Sequence, residues 1–147
     1  MPRPVSRPLA LWSAVLLALL AAHDLSHAFD NGLETPLSQL AAVAAPQWLA
    51  LAVLMAIVLR GDRAHAAASA LLLGVGVTIG FAVVHLLPFS TSSYWKLHPS
   101  AVSWTLAWSP AALGLALAVL AWSQWRPSTG SSPRSRPPIS NVRSPTS

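Results

Sequence analysis

A chain of 147 residues suits one small domain, but 54% of it is apolar and only 9% is charged, so a water-soluble surface cannot be assembled from it. The absence of cysteine excludes disulfides, thiolate metal sites, covalently attached c-type haem and cysteine-ligated iron–sulfur clusters, leaving His, Asp, Glu or backbone to hold any cofactor. The net charge of +5 is carried by arginines near the termini and not by a basic stripe interleaved with aromatics, which speaks for membrane topology and surface attraction and against nucleic acid as a partner.

Residues 1–8 read as a basic, proline-broken cytoplasmic leader carrying Arg3 and Arg7. The apolar run over 9–22 has only 14 residues, about 21 Å as a helix, whereas a bilayer core needs about 30 Å. The first span is therefore expected to continue through His23 to about residue 30, with Asn31-Gly32 as its C-terminal cap. The competing expectation is a cleaved secretory signal over residues 1–28, with Ser26-His27-Ala28 as the small-x-small cut; the polar HDLSH insert separates apolar core and cut by more than such signals usually allow.

Thr35-Pro36 opens a second span over 37–59, in which Pro46 leaves the Ala42 carbonyl without its helical donor. After the charged turn Arg60-Gly61-Asp62-Arg63, a third span covers 64–87 and stops at Pro88. The polar, aromatic connector FSTSSYWKLHP follows, and Ser100 caps a fourth span over 101–122, where Pro110 frees the Leu106 carbonyl. The tail over 126–147 is Pro, Ser and Arg with almost no apolar residues; it cannot offset its ordering entropy and is expected to be disordered. The predicted fold class is all-α: a polytopic membrane protein whose four-transmembrane-helix bundle occupies 9–125.

Eight of the nine Lys and Arg residues (Arg3, Arg7, Arg60, Arg63, Arg126, Arg134, Arg136 and Arg143) fall on one side of such a bundle, and Lys96 alone falls on the other. The positive-inside rule then makes this a multi-pass plasma-membrane protein with both termini cytoplasmic, in contact with the lipid bilayer. Trp95 and Trp104 mark the outer interface, and Trp12, Trp122 and Trp125 the inner one.

His23, His27 and Asp30 are spaced i, i+4, i+7 and share a helical arc of about 60°. Ser26 lies beside them, while Asp24 points elsewhere, to the headgroups or the next loop. His85 shares a face of the third helix with Thr78 and Gly74, about one turn from its outer end. His23, His27, Asp30 and His85 are the candidate site near the outer leaflet, because ionisable groups within a bilayer are costly and usually face a bundle interior or a water-filled cavity. Three readings stay open for them: a metal ion or b-type haem held by imidazoles from two helices, a titrating site for protons or a small polar ligand, and an interhelical hydrogen-bond cluster at headgroup depth. His65 and His98 fall at helix ends or loops and read as solvated. Gly76-Val-Thr-Ile-Gly80 is a G-x-x-x-G that would pack within the bundle first and serve a homodimer or membrane partner second. Trp104 and Trp108 could roof the site or simply anchor the interface. No nucleophile–base pairing or phosphate loop is legible, so no catalytic residue is assigned, and a non-catalytic membrane assembly or accessory protein is the class alternative.

HDLSHAFDNGLETP, together with VHLLPFSTSSY and the later AVSW, resembles a group of uncharacterised small actinobacterial integral membrane proteins with four predicted spans. The resemblance covers the exits of the first and third helices and the start of the fourth. It implies the four-span architecture and a role for the outer polar cluster, and supplies no activity. Relatives often carry a His directly after the HLLP proline; here that position is Phe89, so the resemblance does not extend to a multi-histidine site on the third helix.

Overall fold

The computed structural model describes residues 6–27, 37–90, 93–97 and 100–125. They form an all-α bundle: α1 (Arg7–Ser26), α2 (Leu37–Arg60), α3 (Arg63–Phe81), a π-helical turn (Ala82–Leu86), the single-turn α4 (Tyr94–Leu97) and α5 (Ala101–Trp125). Three segments are long and apolar enough to cross a membrane: Arg7–Ser26, Arg63–Leu86 and Ala101–Trp125. At 20, 24 and 25 residues they reach about 30 Å or more. Within α2, Ala44–Arg60 makes a shorter apolar helix.

The first span continues past Ala22 through His23, as expected, and it also starts two residues earlier than expected. It begins at Arg7, with Pro8 in the first turn where its missing N–H costs nothing, and its helix ends at Ser26. The expected continuation over 28–30 and the Asn31-Gly32 cap lie outside the described residues, as do Thr35-Pro36, His98 and the tail. α2 and α5 run through Pro46 and Pro110, and α5 extends past the expected boundary to Trp125. Ser100 does cap α5, its hydroxyl accepting from the Ser103 N–H at 3.2 Å.

The centre of the bundle is the α3–α5 pair, with α1 laid along α5 and α2 along α3. Small residues let the two backbones meet. A Cβ added at Gly74 would strike the Gly114 carbonyl oxygen and sit 2.8 Å from the Ala118 nitrogen, and one at Gly114 would sit 2.6 Å from Thr78 Oγ1. The Thr78 hydroxyl donates to Gly74 O in its own helix at 2.8 Å and to Ala111 O across the seam at 3.0 Å. This seam corrects the expectation that Gly76 and Gly80 pack inside the bundle. Both face outward, and a Cβ at either meets nothing within 4 Å. Many other outward positions are apolar: Leu11, Leu49, Leu72, Val102 and Val119 are each at least 62% exposed, which suits contact with lipid.

At the α2–α3 turn Asp62 caps α3, accepting from the Ala64 and His65 N–H groups at 3.0 Å each and from His65 Nδ1 at 2.8 Å. The backbone N–H of His65, then its imidazole, hold the Asp62 carboxyl below the usual carboxylate range.

Three predictions arise from the seam and the Asp62 cap. Gly114→Leu should destabilise the detergent-solubilised protein by about 1–3 kcal/mol in a chemical-unfolding titration, because the added side chain overpacks the seam. Gly76→Ala and Gly80→Ala should leave the midpoint unchanged or raise it, since Ala is the better helix former. Asp62→Ala should lower the thermal midpoint followed by circular dichroism at neutral pH. The folded pKa of Asp62 lies below its unfolded value, so the cap is at full strength above about pH 3.9 and is lost as pH falls through the folded pKa. The gap between wild type and Asp62→Ala should close over that range.

Candidate metal centre

His23 sits in the last turn of α1, and His27 follows at the cap position with helical backbone angles, φ −61° and ψ −25°. The helical face therefore continues through His27, and the i, i+4 spacing brings the two imidazoles together with Nε2 atoms 3.1 Å apart. His85 arrives from α3, and its Nε2 lies 3.3 Å from that of His23. One ligand atom from each of the three residues falls within 4.8 Å of the others. His23 is the central member and is 1% exposed, whereas His27 and His85 are partly buried.

His85 is carried by a turn wider than an α-turn, closed by the Leu87 N–H donating to Ala82 O at 2.9 Å. Pro88 explains the ending. Proline has no N–H to continue the ladder, and it forces the preceding residue into extended geometry, as Leu87 shows with φ −84° and ψ 137°. The Leu86 carbonyl, left without a helical donor, accepts from Trp95 Nε1 at 2.7 Å. The connector is thereby folded back onto the helix end.

That fold places Tyr94, fully buried, beside the histidines. Its ring centroid is 4.9 Å from that of His85 and 6.3 Å from that of His23. Phe81, one turn before His85 and 6% exposed, lies 4.5 Å from His23 and 5.4 Å from His85. Trp104 meets Tyr94 edge-on at 5.5 Å and Trp95 at 4.9 Å, closing the aromatic layer from α5.

Hydrogen bonding alone serves the cluster poorly. A ring nitrogen of neutral histidine is either a single donor or a single acceptor. The Nε2 of His23 nevertheless faces two partners, and its buried Nδ1 meets no hydrogen-bonding group among the described residues. A cation at the centre would take all three Nε2 lone pairs at once. Two imidazoles on one tetrahedral Zn²⁺, at about 2.0–2.1 Å each, stand roughly 3.3–3.4 Å apart. The observed 3.1 and 3.3 Å are close to that spacing, while the three ligand atoms together span up to 4.8 Å, so the widest pair would have to draw together around an ion. Two imidazoles on opposite faces of a haem iron would stand about 4 Å apart at similar bond lengths, with a macrocycle between them. The site geometry therefore suits a bare ion better than b-type haem.

Of the residues singled out in the sequence, His23, His27 and His85 come together, and Asp30 lies outside the described residues. Ser26 donates to the His23 carbonyl at 2.7 Å and takes no part in the cluster. Asp24 is turned to α2, accepting from Trp48 Nε1 at 2.7 Å. His65 is exposed and bonded to Asp62. Trp108 is 53% exposed, while Trp104 does cover the aromatic layer. Sequence reasoning missed Phe81 and Tyr94. The i, i+4 spacing of Phe81 and His85 is a signal for the first; nothing in the connector singles out Tyr94. No protein-family model, curated protein or solved structure matches the chain.

Proposed function

We propose that this chain is a four-span plasma-membrane protein, both termini cytoplasmic, that binds a transition-metal ion near the outer leaflet through the Nε2 atoms of His23, His27 and His85. The observation that carries this reading is the convergence of three imidazole nitrogens around a histidine with 1% exposure. Burying His23 is costly while its Nε2 faces two imidazoles and its Nδ1 meets no hydrogen-bonding group among the described residues, and an ion would take the facing nitrogens together. Imidazole donors suit zinc, copper, iron and nickel and are poor ligands for magnesium or calcium. The spans and orientation rest on the apolar lengths and on the arginine distribution, with α2 as the fourth crossing.

Metal analysis of protein purified without chelators should find close to one transition-metal ion per chain. Changing an outer-shell partner typically costs 10–100-fold in metal affinity, so His23→Ala, a lost direct ligand, should cost about 100-fold or more in an isothermal titration. His27→Ala and His85→Ala should behave alike. Metal-free protein whose fold is unchanged by these substitutions would make the cluster a structural hydrogen-bond array and favour an accessory role. For the orientation, a C-terminal tag should be protected from protease in intact cells and cut only after permeabilisation; cleavage from outside would refute it.

A further inference from the structure

Three protein ligands leave the coordination of the ion incomplete, and the surroundings of the histidines decide how many more ligands can join. Phe81 and Tyr94 are 6% and 0% exposed, and their rings lie 4.5 Å from His23 and 4.9 Å from His85. The Phe81 ring presents only carbon to His23, and the Tyr94 ring, which also carries a hydroxyl, stands beside His85; as a wall, the two rings occupy space that the additional waters of an octahedral ion would need. Trp104, packed edge-on against Tyr94, holds that wall from behind.

We infer that the site selects ions that accept four-coordination, Zn²⁺ above all, over ions of similar charge that require six ligands, and that Phe81 and Tyr94 are its specificity-determining residues. This rests on the metal-binding reading of the three histidines. The histidines set which elements bind at all, through the softness of their donor atoms. The aromatic walls set how many ligands the bound ion keeps, and the ion holds one exchangeable ligand besides the three histidines, as three-histidine zinc sites with an open position do. Removing Phe81 admits water to the His23 face, so the coordination number rises and the preference for Zn²⁺ over octahedral ions such as Ni²⁺ shrinks.

Cobalt(II) reports coordination number directly, because four-coordinate Co²⁺ absorbs strongly in the visible and six-coordinate Co²⁺ is pale. The full-length protein in detergent micelles, loaded with Co²⁺ alone, should show the intense bands, and they should disappear on displacement by Zn²⁺. Phe81→Ala should weaken the bands several-fold while still binding Co²⁺, and Phe81→Leu, which keeps the wall apolar and bulky, should retain them. A pale wild-type complex overturns the inference, whether or not Phe81→Ala can be recovered folded. So does a Phe81→Ala complex as intense as wild type. Wild-type protein that takes up neither Co²⁺ nor Zn²⁺ overturns the metal-binding reading itself, which separates the two failures.

Discussion

The contact between Gly74 and Gly114 is the constraint on which the bundle depends. In lipid, helices gain little from hydrophobic association, since the tails around them are as apolar as the side chains between them. Association has to come from close packing and from interhelical hydrogen bonds. The α3–α5 seam uses both: glycines bring the backbones together, and Thr78 spans the gap to the Ala111 carbonyl at 3.0 Å. With α3 held against α5, α1 lies along α5 and meets the end of α3, where His23 and His85 touch. A seam built from larger residues would have pushed α3 outward and carried His85 with it.

The polar centre is an answer to a problem that the fold creates for itself. An imidazole has two nitrogens that want partners, and the interior supplies His23 with aromatic rings and two further imidazoles. Elsewhere in the bundle several polar side chains on the spans have a local solution, although the buried Ser13 hydroxyl on α1 meets no partner among the described residues. Asp24 takes the indole N–H of Trp48, Ser26 returns its hydroxyl to its own helix, and Thr105 and Ser109 donate to carbonyls one turn back. Within the histidine cluster it is His23 that is left short: its Nε2 faces two imidazoles and its buried Nδ1 meets no hydrogen-bonding group among the described residues.

Much of this was legible in the chain, and the parts that were not have specific causes. Long apolar runs punctuated by Pro36, Pro88 and Pro99 disclosed the helices, because proline and lipid both act on the backbone through few residues. The start of α1 lies two residues before the expected one because Pro8 looks like a breaker and in a first turn is not one. The i, i+4 pair His23 and His27 follows from helical spacing alone. Its meeting with His85 depends on how three helices rotate about their axes, and a single sequence contains no such angle. The same gap misplaced the packing seam: Gly74, Gly76 and Gly80 all lie in α3, and only the rotation of the helix decides that Gly74 faces α5 while the other two face out. Tyr94 was illegible for another reason, since its position is set by a connector folded back through a tertiary hydrogen bond.

That hydrogen bond, from Trp95 to the Leu86 carbonyl, also works as a depth gauge. Trp95 is 57% exposed, and an exposed indole settles at the level of the lipid headgroups. Its tether to Leu86 fixes the neighbouring His85 at nearly the same height. At that level the dielectric rises and water is within reach, so polar side chains cost far less than at the bilayer centre. On the membrane-spanning, metal-binding reading proposed above, the indole would do more than finish a helix: it would set how deep the three imidazoles sit and leave them within reach of the aqueous phase.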